Sequence, residues 1–236
     1  MTIFSGTLSQ SICTSSEEVD KVFLETLKDN DTKIVNLFEE IPVLKKIATG
    51  TMTGVVCGGV IRDADTGRTP RDVDVVIPKS RVYKAVESLL EGGWVISSAM
   101  QEALINGTAD MGREYMDING HLCMVMRARN GELELDILVV DISPEDYVKR
   151  IPISTSNCLA YFKDFVFDDS QVIVKRSIGY VDSIKNKQVT ISDSRINEAY
   201  VDKISSYYPD WLVTIDDDEG TDTPEVATAV QEQGMY

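Results

Sequence analysis

The chain has 236 residues, 43% hydrophobic and 26% charged, which places it among ordinary globular proteins and outside disordered, collagen-like and mucin-like sequences. Its 23 basic and 39 acidic side chains leave a formal charge of −16, which repels a phosphate backbone unless a local basic patch offsets it. No run reaches the roughly 18 apolar residues of a membrane helix, and Met1-Thr2-Ile3-Phe4 lacks the basic and apolar stretches of a signal peptide, so a cytoplasmic protein without a membrane partner is expected.

Ser15-Ser16-Glu17-Glu18 has the hydroxyl-to-carboxylate spacing that caps a helix start, and Val19, Val22, Phe23 and Leu27 follow at helical spacing. Asp31 is expected to cap a second helix through Ile34, Val35, Leu37, Phe38 and Ile41, which Pro42 interrupts. Val55-Val56-Cys57 reads as a short strand closed by Gly58-Gly59. After Pro70, Val73, Val75 and Ile77 alternate with Asp72 and Asp74, the period-two pattern of a strand with one buried face. Residues 79 to 91 read as a helix, and Leu122 to Val140 as a hairpin turning at Asn130-Gly131. Residues 97 to 120 are only weakly periodic. Beyond Pro144 the chain reads as mainly helical, with a β-like interruption at Val172 to Val174 and a last helix near Asp193 to Tyr207. Seven acids with no Lys or Arg follow Thr214, from Asp216, Asp217, Asp218 and Glu219 to Asp222, Glu225 and Glu232, and are expected to form a disordered tail.

Cys13, Cys57, Cys123 and Cys158 are scattered and His121 is the single histidine, so reduced core thiols are expected rather than a zinc cage or disulfide framework. Lys175-Arg176 and Lys185 with Lys187 form the basic clusters and are read as solvated surface, while Trp94, Trp211 and Tyr207-Tyr208 are read as packing anchors. The chemistry points elsewhere. Asp72 and Asp74, two apart on one strand, send both carboxylates from the same face, a poor ion pair but a good seat for a hard divalent cation. Asp136 adds a third carboxylate if its strand is adjacent, with Glu134 as its rival on the same face. Such a trio serves two-metal phosphoryl transfer, with ions about 3.5–4 Å apart. Gly58-Gly59 lets backbone approach a phosphate, and Arg62 either neutralises phosphate or pairs with a carboxylate.

The segment Gly58 to Asp74 resembles, without a gap, the signature GGxxRDxxxGRxPxDxD of the head domain of bacterial-type poly(A) polymerases and class II CCA-adding tRNA nucleotidyltransferases, in the DNA polymerase β-like superfamily. Gly58, Gly59, Arg62, Asp63, Gly67, Arg68, Pro70, Asp72 and Asp74 all agree with its fixed positions. Asn157-Cys158-Leu159-Ala160-Tyr161 is similar to the NALAY stretch of the same enzymes, and Gly179 to Lys187 to their neck segment.

The resemblance implies an α+β fold: a nucleotidyltransferase head with a mixed sheet flanked by helices at 1–145, a small helical neck-like region at 146–212, and an acidic tail at 213–236. It implies Asp72, Asp74 and Asp136 as catalytic and metal-binding residues for Mg2+ or Mn2+, with Gly58, Gly59, Arg62, Asp63, Arg68 and Asn157 around the nucleotide. The implied reaction moves a nucleoside monophosphate from an NTP to an acceptor hydroxyl, an RNA 3′ end such as that of tRNA, releasing pyrophosphate. Three departures accompany it. Ile151-Pro152-Ile153 stands where the family has an arginine–arginine–aspartate element for base selection, Asp65 stands where an apolar residue is usual, and the long tRNA-gripping helical body is expected to be absent. The alternatives are a catalytically quiet nucleotide- or partner-binding module on the same fold and a metal-dependent phosphohydrolase.

Overall fold

The computed structural model describes residues 11–13, 21–70, 72–98, 120–163, 171–192 and 198–216. Along the chain these form β1 (Ser11–Cys13), α1 (Lys21–Glu40), α2 (Leu44–Ile47), β2 (Val55–Cys57), α3 (Gly59–Asp65), β3 (Val73–Pro78), α4 (Val82–Glu91), β4 (Val95–Ser98), β5 (Leu122–Asn130) and β6 (Leu133–Val140). They continue with α5 (Pro144–Lys149), β7 (Cys158–Lys163), β8 (Gln171–Arg176), α6 (Ile178–Asn186), β9 (Gln188–Ile191), α7 (Glu198–Tyr207) and β10 (Leu212–Ile215). The expected cap at Ser15 to Glu18, most of the weakly periodic stretch (residues 99–119) and the acidic tail after Asp216 lie outside the described residues.

Eight strands form one mixed sheet in the order β1-β8-β7-β2-β3-β6-β5-β4, with β1–β8 and β3–β6 parallel and the other pairs antiparallel; β9 and β10 form a separate parallel pair. Helices pack on both faces, giving the mixed α+β architecture that the sequence implied. Alternation along the strands divides the core. Val56, Val75, Ile77, Leu135, Ile137, Ala160 and Val174 meet the apolar stripes of α1, α3, α4 and α6 on one face, whereas Val55, Cys57, Val76, Leu138 and Leu159 meet Tyr147 and Val148 of α5 on the other. The segment read as mainly helical after Pro144 supplies two strands, β7 and β8, to this same sheet. No helix among the described residues is long and apolar enough to cross a membrane.

Asp31 does not cap a second helix; α1 runs unbroken through it. The carboxylate falls one turn after Leu27 on the apolar stripe and is buried, because Arg176 reaches it from β8 with Nη2 2.6 Å from Oδ1. The Arg176 guanidinium also grips Asp65 two-pronged, Nε to Oδ2 at 2.8 Å and Nη2 to Oδ1 at 2.9 Å, and Tyr180 on α6 donates its hydroxyl to Asp65 Oδ2 at 2.7 Å. Arg176, only 3% exposed, is therefore interior rather than solvated surface. Burial opposes its charge, yet the hydrogen bonds and charges of Asp65 and Asp31 more than offset that and raise its pKa. The polar residue at position 65 is the counter-ion of Arg176, and the cluster ties α1, α3, β8 and α6 together. Arg176→Met, which strands two buried carboxylates, is expected to lower unfolding free energy by about 3–5 kcal/mol. Adding Asp31→Leu and Asp65→Leu should recover most of the loss; urea unfolding of the single and triple variants checks both, and a single-variant loss under about 1 kcal/mol would contradict this role.

Candidate functional site

At the end of β2 the chain turns into α3 through Gly58, whose φ of 65° and ψ of −122° suit glycine. A Cβ placed there would meet Asp74 Oδ2 at 3.6 Å, and one on Gly59 would meet Arg62 Nη2 at 3.5 Å and Asp72 Oδ1 at 3.9 Å. Both carboxylates thus lie beside the glycine pair, Asp72 exposed just ahead of β3 and Asp74 half-buried within it. No side chain of the turn itself stands between its backbone and the two carboxylates.

Sheet register extends this arrangement sideways. Lys175, Leu159, Cys57, Asp74, Asp136, Arg127 and Ser97 are paired in sequence across seven strands, so they form one row on the face that α5 partly covers. Asp136 is the direct parallel-register neighbour of Asp74, as adjacency of the two strands required. Its carboxylate, 5% exposed, is held two-pronged by Arg127 of β5, Nε to Oδ1 at 2.9 Å and Nη2 to Oδ2 at 3.2 Å. Glu134 is engaged in the same way, by Arg127 Nε at 3.1 Å and Arg129 Nε at 2.7 Å. Among the described residues no three His, Cys, Asp or Glu side chains gather into a metal cage. The oxygen donors of Asp72 and Asp74 suit magnesium, which accepts one or two carboxylates and keeps its waters; the third expected ligand is bound to arginine.

Beneath the turn, burial first, then the Asp74 charge and Cys158, push the Cys57 thiol well above its usual pKa. Cys158, whose thiol donates to Gly58 O at 3.7 Å, is raised to about 12, chiefly by burial. Both remain protonated at neutral pH and floor the site as apolar groups.

The remaining expected nucleotide contacts separate from the carboxylates to different degrees. Arg62 stacks on Tyr207 and Tyr208 at the end of α7, 5.7 and 5.3 Å from the ring centroids, and Arg68 lies 5.2 and 4.4 Å from the same rings. Arg68 also donates to the Tyr207 carbonyl oxygen, and Tyr207 donates its hydroxyl to Asp63 Oδ2 at 3.1 Å. Arg62 is the link, since its Nη2 also borders Gly59. Burial raises the Asp63 pKa, with Arg62 Nε, 3.9 Å away, countering only part of that. Three buried polar atoms here make no hydrogen bond among the described residues: Arg62 Nε, Asp63 Oδ1 and Tyr208 OH. Asn157 instead closes α5: its side-chain amide faces the carbonyl oxygens of Val148 and Ile151, so the orientation that satisfies it has the nitrogen donating to them at 2.7 and 3.1 Å. It borders two clefts of about 310 and 320 Å³, neither lined by Asp72 or Asp74.

No family model and no curated protein sequence matches the chain. Solved structures similar to it include a tRNA-processing enzyme in an apo form, with a TM-score of 0.46, 15% identity, and coverage of 68% of this chain and 41% of that one. A CCA-adding enzyme with ATP gives a TM-score of 0.45 and 16% identity over 77% of this chain and 38% of the other. A tRNA nucleotidyltransferase complexed with a primer tRNA and an incoming ATP analogue gives 0.39 and 16% over 58% and 34%. This chain spans about two fifths or less of the length of each.

Sequence reading missed Arg127, Arg129 and the stacking role of Tyr207-Tyr208. The arginines were detectable in principle, as opposite charges facing each other across a hairpin. Two outcomes follow from the geometry. Gly58→Ala forces a side chain into a backbone region nearly reserved for glycine and should cost about 1–3 kcal/mol, read by urea unfolding, with no loss contradicting the strained turn. Folding raises the Asp63 pKa above 3.8, so the native state binds the extra proton between the two values and Asp63 withdraws stability as pH rises through that window. Asp63→Asn keeps an acceptor for Tyr207 and removes the titration. Its stability relative to the parent should be flat below pH 3.8 and increase above it, whereas a pH-independent difference would contradict the assignment.

Proposed function

We propose that this chain is a metal-dependent nucleotidyltransferase, moving a nucleoside monophosphate from an NTP to an acceptor hydroxyl. The observation that carries the reading is the placement of the Asp72 and Asp74 carboxylates against the glycine turn Gly58-Gly59, inside a segment that keeps every fixed position of the signature. Asp72 and Asp74 would hold a magnesium or manganese ion. Such an ion, when bound, neutralises the triphosphate and stabilises charge on the transferred phosphoryl group. Gly58 and Gly59 present backbone without side chains to the phosphates, and Arg62 reaches the same turn from below. In the reaction the acceptor O–H gives its proton to water, its oxygen bonds the α-phosphorus, and the bond from that phosphorus to the α,β-bridging oxygen breaks, the electron pair leaving with pyrophosphate. The buried, protonated Cys57 and Cys158 offer no competing nucleophile. The resemblance favours an RNA 3′ end, such as that of tRNA, as acceptor.

A second reading has a specific observation in its favour. Arg127 occupies Asp136, and Tyr207 and Tyr208 occupy Arg62 and Arg68, which suits a catalytically quiet module that binds a nucleotide without transferring it. Incubation with NTPs labelled at the α-phosphate, magnesium or manganese, and tRNA, mixed RNA or protein acceptors separates the two. Transfer should require metal and fall about a hundredfold or more in Asp74→Asn, the scale of losing one charge-stabilising group. Nucleotide binding without transfer under every combination would favour the module; free nucleoside monophosphate without adduct would indicate hydrolysis.

A further inference from the structure

We infer that Arg127 sets the ion content of the site: its guanidinium takes the cation position on Asp136, so that a divalent ion seats on Asp72 and Asp74 and not on the third carboxylate. The inference rests on the metal-binding reading above. It deepens that reading by assigning Arg127, a residue outside the signature, the role of a positioning residue that decides between one-ion and two-ion loading. Four observations converge on it. Asp136 is the in-register neighbour of Asp74, so the geometry for a shared ion exists in the backbone. Asp136 is nearly buried, and both of its oxygens accept from one guanidinium, a fork that gives each oxygen a charged donor. The rival ligand Glu134 is held by the same Arg127 and by Arg129, so neither alternative carboxylate is left to replace Asp136. Arg127 is itself fixed by the β5–β6 ladder directly opposite Asp136.

A guanidinium and a divalent ion cannot both sit on that carboxylate at close range without strong like-charge repulsion, which in a partly desolvated site amounts to a large penalty. Two-ion loading therefore requires Arg127 to let go. While the fork holds, Arg127 acts as a built-in cation, neutralising Asp136 beside Asp74 and removing the repulsion that three adjoining carboxylates would otherwise impose.

The test is Mn2+ binding, followed by calorimetry and by the paramagnetic relaxation of bound water, in the parent chain, Asp74→Asn, Asp136→Asn, Arg127→Gln and the double variant Arg127→Gln with Asp136→Asn. The acidic segment after Thr214 is common to all five and cancels in the comparison. Expected is a loss of affinity of about tenfold or more in Asp74→Asn and a change within about twofold in the double variant, which removes the Asp136 carboxylate without leaving the Arg127 charge unneutralised; Asp136→Asn alone should weaken binding through that charge. Arg127→Gln should tighten Mn2+ binding about tenfold or add a second ion, and that gain should vanish in the double variant. Arg127→Gln keeps hydrogen-bond donors while removing the charge; should it fail to fold, the double variant, which leaves no buried carboxylate unpaired at position 136, still decides. A large loss in the double variant, matching Asp74→Asn, overturns the inference while leaving the metal-binding reading intact. Arg127→Gln that folds and binds as the parent does overturns it as well. Equal binding by the parent and Asp74→Asn removes the metal-binding reading itself, and the inference with it.

Discussion

The register of β3 between β2 and β6 is the constraint on which the rest of the site depends. With Cys57 opposite Asp74 and Asp74 beside Asp136, side chains from distant parts of the chain share one pleat row. A slip of one residue in either pairing would send the acid to the other face, into the apolar layer formed with α1 and α3. The apolar residues of β3 and β6 prevent that slip: Val75, Ile77, Leu135 and Ile137 are buried on the helix-covered face, which leaves Asp74 and Asp136 only the opposite one.

Around this row the protein manages charge by pairing. The chain is strongly acidic, yet the acids that enter the interior each meet a cation or a hydroxyl. Asp31 and Asp65 meet Arg176, Asp136 meets Arg127, and Asp63 meets Tyr207 with Arg62 nearby. These contacts also link elements far apart in sequence. Arg176 joins the first helix to the signature helix, and Tyr207 and Tyr208 press the C-terminal helix against Arg62 and Arg68 of the signature segment. Arg62 consequently stands between α7 and the glycine turn, a route by which α7 reaches the candidate site.

Local pattern made much of the fold legible. Alternation located β3, the helical stripe located α4, and the glycine pair with the two acids located the turn and its carboxylates. What escaped was set by long-range partners. Asp31 reads as a cap because nothing nearby announces that an arginine 145 residues later will reach it inside the helix stripe. The hairpin was found, but its loop is Gly131-Glu132, with Gly131 at a φ of 61°, one residue beyond Asn130-Gly131. Moving a two-residue loop by one position shifts every cross-strand pair by two, and places Arg127 opposite Asp136 instead of Glu134. The arginine that holds the third carboxylate was hidden by that single displacement. The β-like stretch Val172 to Val174 falls within β8, but the full length of β8 and all of β7 were obscured because a strand buried on both faces loses its alternation and reads like a buried helix segment.

Under the proposed function, the glycine turn beside Asp72 and Asp74, with Asp136 neutralised at the next register position, would seat one hard cation and the phosphates it carries. Residue-by-residue line broadening of the ¹⁵N-labelled chain by substoichiometric Mn2+ tests that claim most directly. The account requires the amide signals of Gly58, Gly59, Asp72 and Asp74 to broaden, and to recover when Asp74 is replaced by Asn. Broadening confined to the acidic residues after Thr214 would contradict it.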